Sequence, residues 1–291
     1  MMTSAPPHLP VAIAIFVILS GAVIGSFLSM LVYRLPIILK RNWERDCRET
    51  LALPHPEPGP AFNLAWPGSH CPECQTALGL RDNIPLLGFL MLRGRCRHCH
   101  ARIPGRYFLI EVLTAIAAIA TVAHFGLTAR AGLAFLLTAG LIALSFIDMK
   151  EQILPDVITL PLLWVGLLAN TAGFYTSLPS AVWGATSAYL FLWLIFHAFR
   201  FATGKEGMGY GDFKLFAVAG AWLGWQMLPL VILLASLTGA VYGMALIVTG
   251  RLRRSTPMPF GPFLCLATWI GLFFGGPILA GYLHMAHGHH L

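Results

Sequence analysis

Charge is what this chain has least of. Only 11% of its 291 residues are Asp, Glu, Lys or Arg, against 57% hydrophobic, and the mean hydropathy is +0.73. That balance excludes an ordinary soluble globular protein. Several apolar runs reach the ~18–20 residues that cross ~30 Å of hydrocarbon. Other absences narrow the choice further. No basic residue precedes the first apolar run and no small-residue cleavage site follows it, so it reads as a retained span and not a cleaved signal. No glycine-rich dinucleotide fingerprint follows a strand-like segment, and no internal repeat of useful length is visible.

What is there is a set of eight apolar stretches, near 11–33, 107–127, 131–148, 157–175, 181–199, 213–227, 228–249 and 261–284. They predict an all-α polytopic membrane protein of about eight transmembrane helices. The sixth is the shortest and is rich in Gly and Ala. With the N-terminus outside, 18 of the 19 Lys and Arg fall on the cytoplasmic side and only Arg130 lies opposite. The positive-inside rule therefore selects that orientation. The net charge of +7 is then a topology signal beside an anionic leaflet, with no nucleic-acid partner required.

One loop, 34–106, is long enough for a cytoplasmic domain. It separates an N-terminal helix (1–33) from the remaining membrane part (107–291). It opens on "RLPIILKRNWERDCRET", a basic amphipathic piece expected on the membrane surface or against the domain. A proline-rich connector follows, "LPHPEPGPAFNLAWPGSH", which excludes regular helix. Then come "CPEC" (71–74) and "CRHC" (96–99), two CxxC pairs at the spacing of a small zinc ribbon. Two disulfides or a redox pair would use the same residues. A reducing cytoplasm disfavours the first, and the second needs no duplicate pair. Cys71, Cys74, Cys96 and Cys99 are thus the expected ligands of one structural zinc, which supplies much of the folding free energy of a loop poor in apolar residues. His98 and His100 are then not needed as ligands. Cys47 and Cys265 stand outside the set, and Cys265 reads as core packing. The terminal "HMAHGHHL" reads as a tail before it reads as a metal tract.

All twelve acidic residues fall on the inner side in this topology. Asp148, Asp156 and Asp212 lie where apolar spans end or begin, and an ionisable group at that depth is a functional candidate by default. Asp156, after Pro155, is explained as a helix N-cap. Asp148 ends a helix, where the dipole disfavours an anion; Lys150 offers it a partner. Asp212 could cap the next helix, but a cap does not require Gly207, Gly209 and Gly211. Such glycines let backbone loosen and approach a substrate closely. Asp148 and Asp212 share a depth, and two carboxyls that meet share one proton, making one the base and the other the acid. An intramembrane aspartyl hydrolase and an ion-coupled transporter both use such residues.

The ordered set "GSFLSMLVYRLP", "CPEC", "NIPLLGFL", "RGRCRHC", "RYFLIEVLTA", "IDMKEQILPDVITLP", "GKEGMGYGDFK" and "PMPFGPFL" resembles the bacterial type IV prepilin peptidases, the leader peptidase/N-methyltransferases of the GxGD aspartyl protease class. The resemblance implies a bifunctional inner-membrane enzyme. Such enzymes cut the basic leader from prepilins and pseudopilins of type IV pilus and type II secretion systems, usually after a glycine. They then methylate the new N-terminus, commonly Phe, with S-adenosylmethionine. By motif, Asp148 and Asp212 are the implied catalytic pair and the four cysteines the implied zinc ligands of a methyl-transfer domain. Gly94 and Glu111 are candidates near the methyl-transfer site, against readings as a turn glycine and as a partner of Arg106. Lys205, Glu206 and Lys214 border the aspartates. The runner-up reading is a peptidase whose cytoplasmic domain only docks substrate. A transporter with a zinc-ribbon accessory is the alternative from another class.

Overall fold

The computed structural model describes residues 10–54, 62–79, 81–250 and 258–287, with side chains described up to 281. Residues 288–291 of the C-terminal histidine tract and 55–61 of the proline-rich connector lie outside the described residues. The fold is helical: α1 (Val11–Thr50), α2 (Leu87–Met91), α3 (Gly105–Phe125), α4 (Ala129–Glu151), α5 (Asp156–Thr171), α6 (Leu178–Thr203), α7 (Tyr210–Leu223), α8 (Leu228–Val248) and α9 (Gly261–His287). Among the described residues there are no strands, only two isolated bridges. Each of the eight apolar stretches carries a helix. Six of these regions are long and apolar enough to cross a membrane; α5, at 16 residues, and α7, at 14, are shorter. The chain divides into two compact units, Met1–Ala131 and Gly132–Leu291.

In the first unit α1 is longer than expected. It runs 40 residues, through the buried Pro36, to Thr50. The basic piece after residue 33 is therefore its direct continuation and not a separate surface helix. Proline removes one backbone donor, but the helix formers that follow resume the ladder at once. Small residues let α1 and α3 approach closely: a Cβ on Gly25 would fall 2.7 Å from the Glu111 Cα. Arg34, buried on α1, donates to the carbonyls of Asn63 (3.0 Å), Leu64 (3.3 Å) and Pro67 (2.6 Å), which ties the loop to the helix.

The second unit is built around α7, whose Phe213, Leu215, Phe216, Val218 and Trp222 are all fully buried. At the crossing of α6 and α7 a Cβ on Gly220 would overlap the Gly184 carbonyl, so the two backbones are in direct contact. The Trp222 indole donates to the Leu162 carbonyl (2.8 Å), and the buried Asn170 amide donates to the Ala221 carbonyl (2.8 Å), fixing α5 against α7. The sixth stretch, expected at 213–227, is shifted and shortened. Gly224, at φ 84, ends α7, and a 3₁₀ turn over Trp225–Met227 leads into α8. At 1.5 Å per residue α7 is about 21 Å long, too short to span alone, and every residue from Leu215 to Trp222 is buried.

Candidate active site

Asp148 projects from the last turn of α4 and is buried. Its unfavourable place at a helix C-terminus is offset from elsewhere. The Gly261 N–H, at the first residue of α9, donates to Asp148 Oδ2 at 3.0 Å. This contact requires glycine, because a Cβ at 261 would lie 2.6 Å from that same oxygen. The N-terminus of α9 therefore presents a backbone donor and the positive end of a dipole to a carboxyl that its own helix repels. Lys150, the partner considered for Asp148, instead pairs with Glu151 at 2.7 Å.

Asp212 is also buried, in the first turn of α7. It is not the cap; Gly209 is, with extended backbone at φ −84 and ψ 150. Asp212 reaches back to the Gly209 backbone N–H, as the third helical residue does in a capping box. Its Oδ1 is buried and has no hydrogen-bond partner. An unmatched buried carboxyl oxygen is costly and rare, and marks a place where a ligand or water is expected. Leu154 joins the two aspartate loops. A Cβ on Gly211 would meet the Leu154 Cβ at 2.8 Å, and one on Gly261 would meet Leu154 Cδ2 at 3.2 Å. The two carboxyls lie close enough for the charge of Asp148 to act on Asp212.

Asp156 opens α5 without capping it: Pro155 is the cap residue and no side-chain cap bond forms. Both carboxylate oxygens of Asp156 accept from Lys214 Nζ, at 2.8 and 2.7 Å. That pair braces α5 to α7 two residues past Asp212, so Lys214 has a brace to hold and is not merely an interfacial anchor. Glu206 pairs at 3.5 Å with Arg200 on the surface, and Lys205 is exposed. Cys265 is buried on α9, as its packing reading required.

The four loop cysteines form a second constellation, within the first unit. Sulfurs about 2.3 Å from a central tetrahedral ion stand about 3.8 Å apart. Here Cys71 Sγ and Cys99 Sγ are separated by 3.7 Å, Cys74 Sγ and Cys96 Sγ by 3.9 Å, and all four lie within 4.8 Å of one another. None is in a disulfide. The two knuckles match residue for residue. Cys71 N donates to Thr76 O and Cys96 N to Ala101 O, both at 2.9 Å, and Gln75 and His100 each take φ 57 after the second cysteine. Hydrogen bonds from the Thr76 hydroxyl and backbone pull the Cys74 thiol down to about 6. The Cys99 and His98 N–H groups pull Cys96 down as well. Against the pull of the Ala101 N–H, desolvation and the three neighbouring sulfurs push Cys99 up to about 12. A dication among the sulfurs reverses that last penalty, and the set fits zinc.

Gly94 is a turn glycine at φ 67, packed on the Phe89 ring. Glu111 does not pair with Arg106, whose guanidinium sits 5.4 Å from the Tyr107 ring centroid. Glu111 Oε2 accepts from the Leu86 backbone N–H at 2.7 Å. Two features escape sequence reasoning: the Gly261 donor and the Lys214–Asp156 brace. The first had a signal in "FGPF", a glycine-proline pair at a helix start; the second had none, since its partners are 58 residues apart.

Comparison with known proteins places these residues in context. Residues 135–244 match the model of the type IV leader peptidase family, and 19–125 match that of the bacterial peptidase A24 N-terminal domain. The chain is 47% identical over 277 residues to the prepilin leader peptidase/N-methyltransferase of Stutzerimonas stutzeri, covering 95% of this chain and 96% of that protein. It is 49% identical over 278 residues to the protein of that name from Pseudomonas aeruginosa, with the same coverage. The Aeromonas salmonicida protein of that name is 49% identical over 271 residues, 92% of each chain. No solved structure gives a significant match.

Proposed function

The chain belongs to the type IV leader peptidase family, and on that footing we propose that Asp148 and Asp212 are the catalytic carboxyls of a bifunctional prepilin leader peptidase and N-methyltransferase. The observation that carries the reading is a pair of buried carboxyls in mutual electrostatic reach, one of which has an oxygen without a partner. With one proton between them, the ionised carboxyl takes a proton from water as it attacks the scissile carbonyl. The protonated carboxyl gives its proton to the carbonyl oxygen. As the tetrahedral species collapses, the carboxyl that took the water's proton gives it to the departing amide nitrogen, the other takes back the proton of the collapsing hydroxyl, and the C–N bond breaks. Gly261 holds Asp148 through Oδ2, which leaves its other oxygen for the water. Asp212 Oδ1 is left to face the substrate. A prepilin inserted with its basic leader inside presents the scissile bond at the inner boundary, the depth to which the Lys/Arg bias assigns both aspartates. The enzyme accordingly belongs in the bacterial inner membrane with its catalytic face to the cytoplasm.

The four cysteines would hold one zinc ion as a structural centre, closed to catalysis by its four thiolates. S-adenosylmethionine, when bound, supplies the electrophilic methyl group. That half of the activity is carried by family membership, since the described residues contain no strand and so no glycine loop of the dinucleotide kind.

The direct test is incubation with a synthetic prepilin and a labelled methyl donor, scoring the two products separately. Cleavage followed by labelling of the new N-terminus is expected; a chain that does neither, while folded and zinc-loaded, overturns the reading. Gly261→Ala should lower kcat for cleavage by roughly 10²-fold, the effect of displacing a reacting group by about 1 Å, with KM little changed. An unaltered kcat would remove Gly261 from the site. For the basic leader the partners proposed are Glu44, Asp46 and Glu49 on the exposed end of α1, where Glu44 already holds Arg48 at 3.0 Å. Reversing all three charges should raise KM several-fold in low salt and much less in high salt. Unchanged kinetics at low salt would dismiss them.

A further inference from the structure

The loop between α1 and α3 exposes apolar side chains that the cysteine cluster does not use. Ile84, Leu87, Leu90 and Met91 are 42%, 53%, 57% and 68% exposed. They belong to no helix of membrane length. Four bulky apolar groups within eight residues form a patch of the kind that marks an interaction surface.

The attachment of α2 identifies what the patch faces. The Leu86 N–H donates to Glu111 Oε2 at 2.7 Å, and the Phe89 ring stacks on Phe108 at 4.9 Å between centroids. Glu111 lies about 9 Å along α3 from Gly105, at 1.5 Å per residue. Thus α2 sits beside the second turn of a helix apolar enough to cross the membrane, and not beyond its end. Two strained or crowded positions hold it there. Leu86 adopts φ 62, a region that residues with side chains avoid, and Gly88 lies against the Asp82 carbonyl more closely than a Cβ permits. With Phe89 turned to α3, Leu87, Leu90 and Met91 point outward. They do so at the level where Leu109 and Leu113 of α3 are themselves exposed to the surroundings of a spanning helix. Arg93 and Arg95 follow directly and are exposed.

We propose that α2, with Ile84 ahead of it, is an in-plane membrane anchor: its outer face lies in the acyl-chain boundary of the leaflet on the Lys/Arg-rich side, with Arg93 and Arg95 at the height of anionic headgroups. The occupant of the patch is the lipid bilayer. The anchor also accounts for Glu111. A carboxyl one turn inside an apolar helix is expensive in hydrocarbon, and α2 covers it while supplying a backbone donor. The zinc knuckles are thereby held at the membrane surface by a contact separate from α1 and α3, whatever reaction the chain performs.

The test uses the full-length, zinc-loaded protein in nanodiscs of phosphatidylethanolamine and phosphatidylglycerol. A fluorescent amino acid replaces Leu90, Met91 or, as the aqueous reference, the exposed Glu73 of the first knuckle. Emission is read with brominated acyl chains in the disc and, separately, with iodide in the buffer. Leu90 and Met91 probes are expected to lose most of their emission to the brominated lipid and little to iodide, with Glu73 showing the reverse. Iodide quenching at 90 and 91 equal to that at 73 overturns the proposal by placing α2 in water. Protection from both quenchers overturns it too, because a protein surface then covers the patch. Retention of one zinc per chain in each labelled protein excludes local misfolding as the cause.

Discussion

Asp148→Asn and Asp212→Asn are each expected to lower kcat for leader cleavage by about 10³ or more, and the double variant is expected to be little worse than either. Asparagine has nearly the shape of aspartate and can still accept the Gly261 N–H at 148 or the Gly209 N–H at 212. It can neither take a proton from water nor give one to an amide. The loss therefore isolates proton transfer from positioning. Folding should survive, since removing one of two buried carboxyls relieves desolvation and mutual repulsion; thermal stability equal to or above that of the parent is the expected companion result. Methylation of a peptide supplied already cleaved should be unaffected, and zinc should stay at one per chain. Cleavage near the parental rate in either single variant would remove that aspartate from the mechanism. A fall of only a few-fold would mean that the carboxyl positions the substrate without exchanging a proton.

What could be read from the sequence follows from the range of the interactions involved. Membrane helices are selected by local hydropathy, so all eight apolar stretches became helices. The cysteine knuckles were legible because each closes within a few residues, from Cys71 to Thr76 and from Cys96 to Ala101. Asp148 and Asp212 were legible as candidates because charge at that depth is rare. Their supports were not. Gly261 is 113 residues from Asp148, and Lys214 is 58 from Asp156; no local pattern pairs them. Asp156 illustrates the competition. A residue after proline at a helix start suits an N-cap by propensity, but the nearby ammonium of Lys214 offered a charge-assisted bond and the carboxylate took it. The end of α7 was missed for a related reason. Gly224 stops the helix where the chain must pass Ser180 and Thr176, and that crowding exists only in the folded unit.

Serine at any one of Cys71, Cys74, Cys96 or Cys99 should abolish binding of the zinc ion proposed for them and, with it, the order of the two knuckles, 69–78 and 94–103. The four sulfurs are spaced for a tetrahedral ion and already include thiols drawn toward the thiolate, yet without an ion they crowd one another. The backbone around them is strained in step: Gln75 and His100 hold positive φ. Structural zinc contributes about 10–16 kcal/mol in small domains of this type, far more than a loop with so few buried apolar groups can replace. Hydrogen exchange across both knuckles should therefore rise toward that of an unfolded chain. The second unit shares none of these contacts, and its exchange should not change. If the methyl-transfer activity resides in this domain, metal loss abolishes methylation while cleavage continues at a rate set by Asp148 and Asp212. The two activities then separate in one variant, with metal content, exchange and both products read from the same preparation. Metal-free protein that still methylates fully would show that the cysteine domain is a docking element, and would move the methyl-transfer site elsewhere in the chain.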